Sequence, residues 1–205
     1  SRHCANPGPA HMKMVGKMLG YLRRTIDYKL KLGPQSGKCG GVVLYTDSDW
    51  AGDPQDRKSQ SGYVVLVNGR TVGWGSHKQD GVAASATGAE YVAMSDGAPQ
   101  ALLIRSVASD LGLVKAEDKV ALLCDNMGAI FQTRGRSNFT AAKHVEIRHH
   151  HVRDLVEKGE LTVDYVKSGD NLADIFTKGL KRPAHEQASD RLGIGPWGGV
   201  GKCGP

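Results

Sequence analysis

Apolar and polar positions alternate with two different periods along this chain, and the changes of period mark out its elements. Within residues 9–32, Val15, Met18, Leu19, Leu22 and Ile26 recur at i, i+3, i+4 spacing. That spacing predicts one amphipathic helix from Pro9 to Leu32, with Pro9 suited to the first turn and Gly33-Pro34 ending it. Lys13, Lys17, Arg23, Arg24, Lys29 and Lys31 fill much of the remaining surface, a basic face that suits either solvent or a nucleic acid. PQSGKCGG (34–41) reads as a linker, and a strand follows from Val42 to Thr46. SGYVVLVNGRTVGWGS (61–76) holds two β-rich runs split by Asn68-Gly69, a strong hairpin signal.

The second half alternates helices with strands. Ala84 to Leu111 is Ala-rich and helical, with Tyr91, Met94, Ala98, Leu102 and Val107 along one side and Pro99 expected to kink or divide it. VALLCD (120–125) is wholly apolar up to its aspartate, the mark of a central buried strand. A short helix is predicted over Gly128 to Thr133, a loop over RGRSNFT, and a second long helix from Ala141 to Lys158, closed by Gly159. LTVDYV (161–166) alternates as a half-buried strand, and Asp170 to Lys178 reads as a short helix with Asp170 as N-cap. The Gly/Pro-rich tail from Gly193 offers little to bury and is expected to be disordered. The order β-β-β-α-β-α-α-β-α predicts an α/β fold, a mixed sheet flanked by helices.

Composition narrows the picture modestly. The 205 residues suffice for one ordinary domain with extensions. We assign residues 1–40 to an N-terminal helical extension and linker, 41–180 to the main domain, and 181–205 to a C-terminal helix and tail. The net charge of +6 permits a polyanionic partner without requiring one. Cys4, Cys39, Cys124 and Cys203 are scattered, with no CxxC pair, and read as free thiols. No apolar stretch approaches the roughly 20 residues that span a bilayer, and the N-terminus lacks the apolar core of a signal peptide. It begins without Met, so the chain is expected to be a piece of a longer one.

The candidate chemistry lies in acids at the ends of elements. Asp47 is placed at the end of the first strand, Glu90 early in the first long helix, Asp125 at the end of the buried strand, and Asp174 in the last short helix. Ligands of such sheets collect at strand ends. Four carboxylates there would repel one another severely in low dielectric unless a hard divalent cation sat between them, and magnesium fits best.

Periodicity does not show that the four acids converge; a family resemblance implies it. YTDSDWAGD, DRKSQSGY, SATGAEYVAMSDGA, LLCDN, AAKHVEIRHHHVRDLVEKGEL and DNLADIFTK together resemble the ribonuclease H domain of copia-type LTR retrotransposon polyproteins. HMKMVGKMLGYLRRTIDYKL resembles the segment that joins reverse transcriptase to it, so the likeness runs from about Asn6 to Leu192. The resemblance implies the ribonuclease H-like fold, with a five-stranded mixed sheet. It also implies two-metal hydrolysis of the RNA strand of an RNA–DNA hybrid, with two Mg2+ ions, or Mn2+ as a substitute, held by Asp47, Glu90, Asp125 and Asp174. A reverse transcriptase of the same polyprotein, no membrane, and a cytoplasmic virus-like particle are implied with it.

Two departures from the family pattern stand out. Gly88 occupies a position where relatives usually carry Glu, and it weakens the helix by about 1 kcal/mol relative to Ala. Met127 replaces a Gln that would hydrogen-bond the hybrid. Asn126, Lys143, His144, Arg148 and Arg153 are the candidate nucleic-acid contacts, the basic ones suited to gripping phosphates. Asp49 is read as a structural acid near Arg57 or Lys58, and Asp53 belongs to the turn before Pro54. Consecutive His149, His150 and His151 point about 100° apart on a helix and cannot chelate one ion together. Trp50 and Trp74 are expected in the core. Two other readings stand beside the nuclease. One is an integrase-type core using Glu157 or Glu160 with Asp47 and Asp125; the other is a decayed or domesticated module that binds hybrids or only packs against its neighbour.

Overall fold

Hydrogen bonding of the β-rich runs builds the sheet on which everything else is placed. In the computed structural model, which describes residues 4, 6–32, 40–135 and 151–196, a short strand β1 (Tyr28–Leu30) precedes β2 (Val42–Asp49), β3 (Gln60–Val67), β4 (Arg70–Lys78), β5 (Val120–Cys124), β6 (Leu161–Tyr165) and β7 (Ile194–Pro196). The main sheet runs β4-β3-β2-β5-β6. β2, β3 and β4 are antiparallel neighbours, while β5 lies parallel to β2 and β6 parallel to β5. Asn68 and Gly69 both take positive φ, 48° and 75°. That is the tight hairpin turn their sequence predicts, and it sets the β3–β4 register.

Helices cover the sheet. α1 (Pro9–Arg24) precedes it, α2 (Ala86–Asp110) crosses from β4 to β5, and α3 (Met127–Arg134) follows β5. Residues 151–157 are helical (α4), and α5 (Arg182–Arg191) leads into β7. One core packs Val42, Leu44, Val65 and Leu122 of the sheet against Tyr91, Met94 and Ala98 of α2 and Val152 and Leu155 of α4. A second joins Val64 and Leu66 to Leu172 and Leu192, with Val43, Tyr45, Ile175 and Phe176 around them. Val42 and Leu44 lie in the first core and Val43 and Tyr45 in the second, so β2 has apolar residues on both faces, as a central strand must.

Several sequence expectations are corrected. The first helix ends at Arg24 rather than Leu32, and none of its residues is buried; Tyr28–Leu30 instead pairs antiparallel with Ile194–Pro196. The start of the tail expected to be disordered is therefore strand, because its backbone groups find partners in β1. β2 reaches Asp49, so Asp47 lies inside the strand opposite Gly62 rather than at its end. Pro99 does not divide α2, which runs unbroken for 25 residues. Burial of Met94, Gly97, Ala98 and Ala101 on either side of Pro99 outweighs the one missing hydrogen bond. Val107, placed on the buried side, is exposed, and Ala101 and Ala108 are buried instead. The helix expected over Asp170 to Lys178 is two separate 3-10 turns, Ser168–Asp170 and Asp174–Phe176. Trp50 and Trp74 are 47% and 56% exposed rather than in the core, Trp50 donating its indole N–H to Ala83 O.

Gly62 decides how closely the Asp174 turn approaches the sheet. A Cβ there would lie 2.6 Å from Thr177 Cγ2 and 2.9 Å from Phe176 Cβ. Gly62→Ala should therefore push residues 173–177 outward and cost roughly 1–3 kcal/mol in urea unfolding, as overpacking does. Pro99 is exposed, so Pro99→Ala should restore a helical N–H and stabilise the fold by about 1 kcal/mol or more; a loss of stability would mean the ring itself is packed.

Candidate active site

Each of the four acids is delivered by a different element. Asp47 projects from β2, and Asp125 follows the last residue of β5, whose register pairs Leu44 with Leu122 and Tyr45 with Leu123. The parallel pairing brings the two aspartates to the same end of adjacent strands. Glu90 lies in the second turn of α2, whose N-cap Ser85 accepts a hydrogen bond from Gly88 N–H. The cap uses the backbone of the residue that departs from the family pattern, so the side chain lost there is not needed for it. Asp174 opens the second 3-10 turn, held to β2 by Asn171, whose buried side-chain amide donates to Thr46 O at 2.9 Å.

Carboxylate oxygens of Asp47, Asp125 and Asp174 lie within 4.8 Å of one another. Glu90, Asp125 and the Cys124 thiol form a second such group, so Asp125 belongs to both. Asp47 is 1% and Glu90 6% exposed. Burial first, and then its acidic neighbours Asp174 and Asp125, push Asp47 up to about 6, against the pull of Thr177 and Lys178. Burial, then the charges of Asp47 and Asp125, push Glu90 up to about 8. The Cys124 thiol is also raised, by burial and by the Glu90 carboxylate beside it. Carboxylates displaced in this way cluster at functional sites, which makes this corner the candidate.

A ring of donors steadies the cluster. Ser48 donates its backbone N–H and its hydroxyl to Glu90 Oε1, at 3.1 and 3.0 Å. Thr177 Oγ1 donates to Asp47 Oδ2. Lys178 Nζ stands 3.5 Å from Asp47 Oδ2 and 3.2 Å from Asp174 Oδ1. Sequence reasoning missed Ser48, Thr177 and Lys178. The last two sit three and four residues after Asp174 within the quoted DNLADIFTK motif, and that spacing was the available signal.

The other candidates fall outside this cluster. Asn126 caps α3, its side-chain oxygen accepting from Ala129 N–H at 3.0 Å. Arg153 is half-buried and donates to Gln132 O, tying α4 to α3. Lys143, His144 and Arg148 lie outside the described residues, as do His149 and His150. Met127 is exposed beside Asp125. Asp49 makes no ion pair with Arg57 or Lys58 among the described residues; it folds over Gly52, where a Cβ would lie 2.1 Å from its Oδ2. Lys78 instead bridges Asp53 and Asp56, at 2.7 and 2.6 Å.

No family model matches the chain. Over 194 residues, 95% of its length, it is 32% identical to the Retrovirus-related Pol polyprotein from transposon RE2 of Arabidopsis thaliana. The Pol polyprotein from transposon TNT 1-94 of Nicotiana tabacum is likewise 32% identical over 95% of the chain. Its homologues are copia-type retrotransposon Pol polyproteins. It spans 13% of the length of the RE2 polyprotein and 14% of the TNT 1-94 polyprotein. Among solved structures, the foamy viral protease-reverse transcriptase in complex with RNA/DNA hybrid matches 73% of this chain and 22% of that one, with a TM-score of 0.50 and 16% identity. With three antiparallel strands followed by two parallel ones, the sheet is that of the ribonuclease H-like fold.

The pKa shifts fix the sign of a pH effect. Both are upward, so the folded chain keeps protons that the unfolded chain has released. The resulting stabilisation is complete below the ordinary carboxylate range and is lost as pH rises through about 6 for Asp47 and about 8 for Glu90. In chelator, the chain should melt at a lower temperature near pH ~8.5 than near pH ~5, and Glu90→Gln should flatten the upper part of that slope. A melting temperature that climbs steadily over this range contradicts the assignment.

Proposed function

We propose that this Pol segment is a ribonuclease H: a metal-dependent endonuclease that hydrolyses the RNA strand of RNA–DNA hybrids during reverse transcription, leaving 5′-phosphate ends. The observation that carries the reading is the convergence of Asp47, Asp125 and Asp174, with Glu90 adjoining Asp125, where the buried Asp47 and Glu90 meet the half-buried Asp125 and Asp174. The donor set is all oxygen apart from one thiol, and Asp174 Oδ1 is buried, with the Lys178 ammonium 3.2 Å away. Such a set suits hard divalent cations, Mg2+ or Mn2+, rather than zinc, which prefers nitrogen and sulfur.

Asp47, Glu90, Asp125 and Asp174 are the residues that would hold two such ions. When bound, a metal pair supplies an activated water and neutralises charge on the leaving oxygen. The chain's own contribution is orientation. Ser48 fixes the Glu90 carboxylate by two hydrogen bonds, Thr177 fixes that of Asp47, and Asn171 fixes the Asp174 turn on β2. Asn126, Lys143, His144, Arg148 and Arg153 are our candidates for contacts to the hybrid.

Glu157 and Glu160 do not favour the integrase-type reading. Glu157 is exposed on α4, and Glu160 is held by Arg105 at 3.0 Å. Retention of all four acids favours an enzyme over a decayed module. We assign residues 41–180 to the nuclease domain and the flanking segments to contacts with the reverse transcriptase of the same polyprotein. The β1–β7 pairing joins those two flanks to each other. Among the described residues no helix is long and apolar enough to cross a membrane, and we propose a cytoplasmic virus-like particle as the site of action.

The test is cleavage of labelled RNA–DNA hybrid in Mg2+. The wild-type chain should cut the RNA strand, and Asp125→Asn should lose several kcal/mol of transition-state stabilisation, about 10³-fold in rate. Equal cleavage by both proteins, or by neither, contradicts the proposal.

A further inference from the structure

Lys178 has no role in the reading above, yet it reaches into the centre of the site. Its ammonium lies 3.2 Å from Asp174 Oδ1 and 3.5 Å from Asp47 Oδ2, two oxygens that belong to the three-aspartate cluster. Its backbone cannot drift away from them, because Thr177 N–H and Lys178 N–H both donate to Asp174 O, at 3.2 and 3.1 Å. The turn that presents Asp174 therefore presents Lys178 as well. The side chain is 41% exposed, while Asp47 is 2% exposed. The lysine stem thus reaches from solvent to a buried anion, and it can withdraw along the same path.

We propose that Lys178 is a built-in counter-ion that occupies the acid cluster while no divalent ion is bound and that must swing out for one to enter. The inference rests on reading these acids as metal ligands. A hard divalent ion binds carboxylate oxygens at about 2.0–2.6 Å. An ammonium within hydrogen-bond distance of the same oxygens blocks part of that coordination shell and repels the ion through low-dielectric surroundings. Removing the ammonium should relieve both effects. The lysine therefore lowers metal affinity and at the same time stabilises the metal-free fold, in which Asp47 and Asp174 would otherwise face each other uncompensated. It acts as a positioning residue and sets the divalent-ion concentration at which the site fills.

The experiment titrates the whole 205-residue chain with Mn2+, reading free ion by electron paramagnetic resonance, and repeats the titration with Mg2+ as competitor. Wild type, Lys178→Met, Lys178→Arg and Asp47→Asn are compared, and each is melted in EDTA and in saturating Mn2+. The proposal expects Lys178→Met to bind Mn2+ at least tenfold more tightly than wild type and to melt lower in EDTA, the gap closing in saturating metal. Lys178→Arg, which keeps the charge, should stay near wild type in both readouts. A Lys178→Met chain that folds only once Mn2+ is added also supports the proposal. Should it fail to fold under either condition, Lys178→Gln, polar and uncharged, takes its place under the same criteria.

Unchanged or weaker Mn2+ binding by the uncharged variant overturns the proposal. If Asp47→Asn has then lost binding, the metal reading of the acids survives and only the counter-ion role falls. Binding by Asp47→Asn equal to that of wild type overturns both.

Discussion

Mutual repulsion among Asp47, Glu90, Asp125 and Asp174 is the constraint to which much of this molecule answers. Two of these acids are almost fully buried, and in such surroundings a negative charge is costly unless it is matched or protonated. The chain answers in three ways. Ser48 and Thr177 aim donors at Glu90 and Asp47, Lys178 brings a positive charge between Asp47 and Asp174, and Asp47 and Glu90 hold protons more tightly than ordinary carboxyls do. None of the three neutralises the cluster completely. A divalent cation would, and on the proposed reading the remaining negative charge is what draws one into the site.

The fold makes that cost tolerable by holding the acids on rigid supports. β2 and β5 are central, parallel and flanked by apolar cores, so Asp47 and Asp125 cannot separate without breaking the sheet. Glu90 is fixed by the buried face of α2, whose Tyr91 and Met94 pack in the first core. Asp174 depends on a weaker support, a 3-10 turn. It is compensated by the Asn171 bond to Thr46, by Leu172 in the second core, and by the absence of a side chain at Gly62. Stability and function are thereby linked: the contacts that close the second core also set the fourth carboxylate.

Much of this was legible from residue pattern, and the failures share a physical cause. The Asn68-Gly69 turn and the apolar VALLC strand announce themselves because their signals are local, a positive-φ pair and a run buried on both faces. Glu90 and Asp125 could be picked out as acids at the start and end of elements, whereas Asp47 was singled out at a strand end that lies further on, at Asp49, and the convergence of the acids was implied only by the family resemblance. What sequence pattern missed depends on partners distant in the chain. Tyr28–Leu30 becomes a strand only because Ile194–Pro196 lies beside it, and Ser48 matters only because α2 brings Glu90 across from 42 residues away. Trp50 and Trp74 were misplaced because their hydrophobicity alone does not reveal which face of a strand or turn they occupy. Lys178 was overlooked because a lysine near an acid is usually a solvated charge; only burial of Asp47 gives it weight.

The central claim is that these acids form one divalent-cation site, and locating the ions tests it most directly. Anomalous scattering from crystals of the chain grown with Mn2+ and a non-cleavable RNA–DNA hybrid would do so. The account predicts manganese peaks bounded by Asp47, Glu90, Asp125 and Asp174, with the Lys178 ammonium withdrawn from between Asp47 and Asp174. Manganese bound elsewhere on the chain, with Lys178 still bridging the two aspartates, would contradict it.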